Sequence, residues 1–80
     1  MEMLQADQRR VVGTKQVLRG LKAGTLRRVY VANDADTFLY QRITQAAEAA
    51  GVETVRVASM KELGEMSGVQ VPTAAAALCR

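Results

Sequence analysis

The chain has 80 residues, which is enough for one small domain and too few for two. Hydrophobic residues make up 49% and charged residues 24%, a balance typical of a globular rather than a disordered protein. The sequence has no His, one Cys and no Trp, which excludes a Cys/His zinc site and an internal disulfide and argues against a surface that stacks successive bases of a single strand. We therefore expect residues 1–80 to form a single domain.

The N-terminal segment does not look like a targeting sequence. It carries Glu2 and Asp7 before any basic residue and has no long apolar core, unlike a signal or transit peptide. No apolar run approaches the ~20 residues of a membrane span. These features, together with the lone Cys79, lead us to expect a cytoplasmic protein that does not bind a membrane.

The charge is distributed unevenly. The net charge is +3, from eleven Lys and Arg against eight Asp and Glu, but residues 9–28 contain seven cations and no acid. That segment is therefore +7, and the remainder is −4. A basic segment in an otherwise acidic chain is the pattern of a surface that meets phosphates, and the alternative is a solvated arginine-rich face.

The first predicted elements lie in and just before the basic segment. A short helix is expected around residues 4–8, and a brief strand at Val11 and Val12 is ended by Gly13. Thr14 is the expected N-cap of a helix that reaches about residue 23, where Gly24 favours a left-handed C-terminal residue. The helical spacing predicts a buried stripe of Val17, Leu18 and Leu21 and an exposed face of Lys15, Arg19 and Lys22.

The middle of the chain predicts a strand, a helix and a second strand. Residues 28–32 are rich in β-branched and aromatic side chains, and residues 33–36 supply turn and capping chemistry. A helix is expected over about 36–50, followed by Gly51 and by a strand over 52–57 in which Val55 and Val57 face the same side. The expected buried stripe of this helix consists of Phe38, Leu39, Ile43, Ala46, Ala47 and Ala50.

The last third predicts a short helix, a loop and a strand. Ser59 and Glu62 fit a capping box at the start of a helix that stops near Gly68. An apolar loop follows at 69–73, and residues 74–79 are expected to form a buried last strand, although alanine also favours helices. Strands that alternate with helices predict a three-layer α/β/α sandwich with a central four-stranded mixed sheet.

Residues that support catalysis are scarce. The usual general base is absent because there is no His, and Cys79 has no activating partner in its expected strand. Asp34 and Asp36 are the only close carboxylate pair outside the predicted helices, and they fit either a metal site or, more commonly, helix caps. The order of a phosphate-binding loop is missing around Gly13. We expect no enzyme, no metal and no cofactor.

The helix that begins beside Gly13 is the leading candidate for ligand binding. Free amides at residues 15–17, the positive end of the helix dipole and the exposed cations all attract a phosphate backbone. Lys15 can donate to guanine O6 and N7, and the Gln16 amide both donates and accepts, so the first turn is suited to reading base edges. The alternative is that Gln16 is an ordinary surface residue and Gly13 only a turn.

The segment from Leu63 to Val71 is harder to interpret as structure alone. Val69, Val71 and Pro72 in a loop expose apolar surface unless they pack under the domain or against a ligand. Both alternatives remain open at this point.

Three motifs, in the order in which they occur, resemble the kink-turn-binding ribosomal protein superfamily of the L-seven-Ae / L-thirty-e type. They are Gly13-Thr14-Lys15-Gln16-x-x-Arg19, the Val-x-Val-Ala-x-Asp-x-Asp stretch that ends at Asp36, and Leu63-Gly-x-x-x-Gly-Val-x-Val71. The length and the Thr-Lys-Gln sequence are similar to those of the short bacterial YbxF-like members. The similarity covers nearly the whole chain.

The resemblance implies an α/β/α sandwich that binds a kink-turn, an internal RNA loop bent sharply beside tandem sheared G·A pairs. Lys15, Gln16 and Arg19 would then lie in the widened major groove at the kink, and Asp36 would approach an extruded base. The RNA-binding set expected on these grounds is Gly13, Thr14, Lys15, Gln16, Arg19, Lys22, Asp36, Val69, Gln70 and Val71, the last three packing on unpaired nucleotides.

The resemblance also bears on the partner. Archaeal and eukaryotic members usually have Asn then Glu where this chain has Lys15 then Gln16, so we expect an altered choice of RNA. The expected partner is ribosomal RNA or a structured leader RNA rather than DNA, bound by a monomer. The alternative class is a protein-interaction module whose basic face meets an acidic partner and whose residues 69–71 form the apolar centre.

Overall fold

A computed structural model describes residues 9–80, and the short helix expected around residues 4–8 lies outside this range. The described chain alternates strands with helices from its first element to its last. The elements are β1 (Arg10–Val12), α1 (Thr14–Ala23), β2 (Leu26–Ala32), α2 (Thr37–Ala49), β3 (Glu53–Val57), α3 (Met60–Met66) and β4 (Ala75–Cys79).

The strands form one mixed sheet in the order β1-β4-β2-β3. Strands β2 and β3 are parallel, whereas β4 runs antiparallel to both of its neighbours, β1 and β2. Ala76 and Ala77 of β4 each face a residue of β1 on one side and of β2 on the other. Both alanines are fully buried, and their small side chains let helices pack closely on this central strand.

Helices cover both faces of the sheet, as expected. Helices α1 and α2 place Val17, Leu21, Ile43 and Ala47 against Val29, Val31, Ala75 and Ala77. On the opposite face, Leu63 and Met66 of α3 pack with Tyr30, Val57, Ala76 and Leu78. The predicted three-layer α/β/α sandwich with a central four-stranded mixed sheet is therefore confirmed over the described residues. None of the helices in residues 9–80 has the length and apolar character required to cross a bilayer.

Strand β2 is longer than the sequence predicted. It begins at Leu26 instead of residue 28, because Leu26 pairs with Cys79 and Arg28 with Leu78, which leaves Arg27 as a bulge. Leu26 is 1% exposed and lies under α1, where a Cβ built on Gly20 would come within 2.8 Å of the Leu26 Cγ. Gly20 therefore permits the close approach of α1 to the sheet.

The predicted buried stripe of α2 is wrong at both ends. Phe38 is 83% exposed and Leu39 36%, and Ala50 is exposed just after the helix, whereas Ile43 and Ala47 are buried. The first turn of α2 follows directly on the loop that leaves the end of β2. Helical spacing identifies a face but does not show where the sheet beneath it ends.

Candidate nucleic-acid interface

The topology brings the three sequence motifs to one edge of the sheet, the carboxyl edge, where β1, β2 and β3 end and β4 begins. The Gly13 amide donates to the Ala75 carbonyl at 2.8 Å, and the Ala32 amide donates to that of Ala74 at 2.9 Å. Residues 13–16, 33–36 and 69–73 consequently emerge side by side, although they are far apart in sequence.

Gly13, and not Thr14, is the N-cap of α1. Its backbone has φ +109° and ψ 148°, and no side chain among the described residues caps the helix. The Val17 amide bonds to the Gly13 carbonyl at 3.0 Å, so the expectation of a free amide at Val17 is wrong. The amides of Thr14, Lys15 and Gln16 precede the first intrahelical bond, and with no acid in this turn they form an N-terminus suited to an anion.

Gln16 folds back over the turn that precedes it. Its Oε1 lies 2.6 Å from where a Cβ on Gly13 would stand. The positive φ favours glycine at this position, whereas the end of the flexible Gln16 side chain could move aside for a Cβ. The side chains of Lys15, Arg19 and Lys22 are exposed on α1, as the helical spacing predicted.

The two aspartates of the β2–α2 loop cap two different helices. Asp36 Oδ1 accepts from the Phe38 amide at 3.0 Å and the Leu39 amide at 3.3 Å, which caps α2. Asp34 Oδ1 accepts from the Met60 amide at 2.7 Å, at the start of α3. These hydrogen bonds support the capping alternative for the pair.

The 69–71 loop rests directly on helix α3. The Val69 amide donates to the Gly64 carbonyl at 3.0 Å, and the Thr73 amide donates to that of Met60 at 3.0 Å. A Cβ on Gly64 would overlap the Val71 carbonyl oxygen. The first glycine of the Leu63-Gly-x-x-x-Gly motif is thus explained by this backbone contact.

Much of the apolar surface of this loop is exposed. Val71 is 64% exposed, Gln70 and Pro72 are exposed as well, and only Val69 is half-buried. Core packing is therefore the wrong interpretation for Val71. A depression of about 310 Å³ borders the loop and is lined by Lys61, Glu65, Val69, Gln70, Val71 and Pro72.

Arg10 connects strand β1 with this loop, a contact that no motif in the sequence indicates. Its Nε donates to the Ser67 carbonyl at 3.1 Å. A guanidinium nitrogen of Arg10 also lies 3.2 Å from where a Cβ on Gly68 would stand, and Gly68 has φ +78°. The residue three positions before Gly13 thus holds the segment that leads into residues 69–71.

One cation of the basic segment, Arg28, forms an ion pair within the sheet. Arg28 Nε donates to Glu53 Oε2 at 3.0 Å, across the pairing of β2 with β3. Hydrogen bonds with Tyr30 and with Glu53 raise the pKa of Arg28 well above its ordinary value. Arg28 is therefore engaged within the sheet, whereas Lys15, in the first turn of α1, stands beside the carboxyl edge.

Comparison with known proteins places this fold and these motifs in a family. Residues 2–80 match the Ribosomal protein L7Ae/L30e/S12e/Gadd45 family. The chain belongs to this family. RNA-binding protein YbxF of Geobacillus stearothermophilus is 46% identical over 70 residues, which cover 88% of this chain and 85% of the relative. An RNA-binding protein of Geobacillus sp. strain WCH70 is 44% identical over 79 residues, covering 99% and 95% of the two chains.

Solved structures of similar fold agree with this membership. A 15.5kD RNA binding protein of Giardia lamblia superposes with a TM-score of 0.82 at 29% identity, covering 89% of this chain and 60% of the Giardia chain. A Bacillus halodurans protein of unknown function superposes with a TM-score of 0.80 at 15% identity, which shows the shared fold alone. Membership of the L7Ae/L30e family confirms the resemblance to short bacterial YbxF-like members and assigns the chain to RNA-binding proteins rather than to enzymes.

Proposed function

We propose that this protein binds RNA and recognises kink-turns, without catalysing a reaction. The observation that carries the proposal is the meeting, at one edge of the sheet, of an α1 N-terminus with no side-chain cap among the described residues and an exposed apolar loop held on α3. The family and the RNA-binding relatives support RNA as the ligand. The resemblance of the three motifs supports the kink-turn.

The α1 side of this edge supplies charge and hydrogen bonds. Backbone amides at the first turn and the cations of Lys15 and Arg19 attract phosphates, and the first turn of α1 contains no acid. Gln16 offers a donor and an acceptor beside them, held over Gly13. This arrangement fits a groove where base edges lie close to the backbone.

The 69–71 loop supplies apolar contact. Because Gly64 lets the loop rest against α3, the exposed face of Val71 is already in place before RNA binds, and little ordering entropy is lost. Ordinary A-form RNA hides its major groove and stacks its bases. An RNA with a bend at which the major groove is open and bases are unstacked can contact both the N-terminus of α1 and the 69–71 loop.

Asp36 fits the same ligand. Its Oδ1 is engaged by two amides of α2, and its second oxygen remains for an amino or imino group of an extruded base. We propose that the RNA is a ribosomal or leader RNA of the cytoplasm, bound by a single copy of the protein.

A gel-shift titration tests the proposal. The protein is titrated with an RNA that carries tandem G·A pairs beside a three-nucleotide bulge, and with the same RNA whose G·A pairs are made Watson–Crick. Tighter binding of the first RNA is expected, and equal binding of the two would reject kink-turn recognition. An association with a cellular protein that survives nuclease, without any preference among RNAs, would favour the protein-interaction module instead.

A further inference from the structure

Two depressions beside helix α1 join into one groove. The first, about 280 Å³, is lined by Val11, Gln16, Arg19, Gly20, Ala23 and Thr25. The second, about 420 Å³, is lined by Arg9, Val11, Gly24, Thr25, Cys79 and Arg80. Val11 and Thr25 line both, so the two depressions adjoin, and together they are called the α1–β1 groove, which extends from Gln16 to Arg9 and Arg80.

Within the part of the chain that the structure describes, the groove is lined by cations and by no acidic side chain. Arg19 stands in its first part, and Arg9 and Arg80 stand at its far end. Of the ion pairs found within residues 9–80, none involves Arg9, Arg19 or Arg80. Their charge is therefore available to a ligand in the groove.

The far end of the groove is held in place by backbone contacts. The Arg80 amide donates to the Thr25 carbonyl at 2.9 Å, and its Nε donates to that of Leu26 at 3.3 Å. The Cys79 amide donates to the Arg9 carbonyl at 2.9 Å. Both arginines are thus anchored at the sheet edge, and one guanidinium edge of Arg80 remains for a bidentate contact with a phosphate.

The length of the groove follows from α1. The helix has 10 residues. From Gln16 to Ala23 the helix advances seven residues, about 10 Å at ~1.5 Å per residue, so a stem must be longer than about three base pairs at ~3.4 Å per pair to pass the far end of α1.

We propose that the α1–β1 groove carries the phosphate backbone of the duplex stem next to the kink, with Arg9 and Arg80 as its outermost contacts. The inference rests on the proposed function, since the stem leaves the kink at Gln16. The presence of Gln16 at one end, of Arg19, Arg9 and Arg80 in the lining, and the lack of acids among the described lining residues favour a regularly charged backbone over an acidic protein.

The test compares stem lengths and matched arginine variants. One kink-turn RNA has a stem of three base pairs on its G·A side, and the other has ten. The Arg9→Gln, Arg80→Gln double variant removes two cations of the groove, and the Arg42→Gln, Arg56→Gln double variant removes two exposed arginines of α2 and β3. Affinities are measured by titration over a range of salt concentrations.

Wild-type protein and the Arg42, Arg56 variant are expected to bind the long-stem RNA more tightly than the short-stem RNA. The Arg9, Arg80 variant loses this preference while it still prefers G·A pairs to Watson–Crick pairs. For this variant with the long-stem RNA, the slope of log affinity against log salt concentration decreases in magnitude by ~2, about one for each phosphate contact that is removed. If Arg80→Gln unfolds the protein, the single variant Arg9→Gln is measured instead, and it is expected to lose about half of the preference for the long-stem RNA.

Cys79 supplies a second, local readout. It is the one cysteine of the chain, and it lies in the far half of the groove. Long-stem RNA is expected to slow the reaction of Cys79 with a maleimide at saturating RNA, and short-stem RNA is not.

Several outcomes would overturn the inference and leave kink-turn binding intact. They are an equal loss of affinity for long and short stems, equal behaviour of the two double variants, or no protection of Cys79 by a bound long stem. Unchanged RNA binding by the Arg9, Arg80 variant with a loss of binding to polyglutamate would assign the groove to a protein. Failure of the proposed function differs from all of these, because G·A pairs would then make no difference even to the wild type.

Discussion

Lys15 and Gln16 are the residues whose removal separates base reading from charge attraction. We expect Lys15→Ala with Gln16→Ala to weaken binding to G·A-containing RNA by ~1–3 kcal/mol for each base that the variant no longer reads. Binding to the Watson–Crick control should fall only through the removal of one cation. Titration of both RNAs measures the difference, and an equal decrease for the two would mean that this turn reads no bases.

Asp36 has a structural role that can be separated from a role in binding. Asp36→Ala removes the cap of α2 and should cost ~1 kcal/mol of stability, whereas Asn retains an oxygen that accepts from the same amides. Asp36→Asn should therefore unfold like the wild type in urea and still bind kink-turn RNA differently, because the carboxylate is removed. An unchanged RNA affinity in Asp36→Asn would exclude a contact between this carboxylate and the RNA.

Residue-level expectations succeeded where a property follows from local spacing. The exposure of Lys15, Arg19 and Lys22 follows from helical periodicity, and the structure agrees. The bond from Asp34 to the Met60 amide joins residues 26 positions apart, so no local pattern indicates it. The same limit applies to the contact of Arg10 with Ser67.

Helix α3 and the loop beside it form a unit that depends on Gly64. Gly64→Ala should displace the loop, because its Cβ overlaps the Val71 carbonyl oxygen, and it should cost ~1–3 kcal/mol as overpacking does. Affinity for kink-turn RNA should fall as well. Gly51→Ala is the control, since its cost of ~1–2 kcal/mol comes from a positive φ of 69° alone.

In these two variants, the free energy of unfolding and the RNA affinity are measured side by side. A Gly51→Ala protein that is destabilised yet binds RNA normally would show that stability alone does not set affinity. If Gly64→Ala bound RNA as tightly as the wild type, the position of the loop would be irrelevant to binding.

The two residues that flank α3 are serines whose removal should have different effects on stability. Ser59 Oγ accepts from the Glu62 amide at 3.1 Å, so Ser59→Ala should cost ~1 kcal/mol. Ser67 is 1% exposed and its Oγ has no hydrogen-bond partner within residues 9–80, so Ser67→Ala should leave stability unchanged or raise it. Urea unfolding measures both, and an equal decrease in the stability of the two variants would contradict the assigned roles of these hydroxyls.

Element boundaries were predictable where a residue type enforces them. Gly24 adopts the left-handed conformation that ends α1, and the Ser half of the capping box starts α3. The N-cap of α1 was misplaced because Thr14 has the preferred side chain, whereas the structure uses the positive φ of Gly13. The start of β2 was missed because the bulge at Arg27 interrupts the alternation that marks a strand.

At the scale of the whole molecule, the cations of the basic segment lie in different places. Lys15 and Arg19 stand at or near the carboxyl edge, Arg28 is paired with Glu53 in the sheet, and Lys22 lies in the last turn of α1. Lys22→Ala should weaken binding to every RNA alike and lower the salt dependence by ~1. Arg56→Ala on β3 is the control, and a selective decrease for one RNA would show that Lys22 reads sequence or shape.

The fold class was predictable because the alternation of strands and helices leaves few topologies open. The sequence motifs also indicated which segments meet the ligand, through their resemblance to a family. What could not be foreseen is how the segments are joined in space, as the Gly64 contact with Val71 and the α1–β1 groove show. Those features depend on how closely different elements pack against one another, which no local sequence pattern indicates.

The place of β4 in the sheet has a consequence for synthesis. Strand β4 is the last element made among the described residues, yet it lies between β1 and β2, and its Ala75 carbonyl holds the Gly13 amide. A nascent chain that has left the ribosomal tunnel only as far as α3 has no sheet partner for β1 and nothing to fix the turn before α1. Such a chain is not expected to bind its RNA. Binding is expected to begin only after β4 has been made and has inserted between β1 and β2.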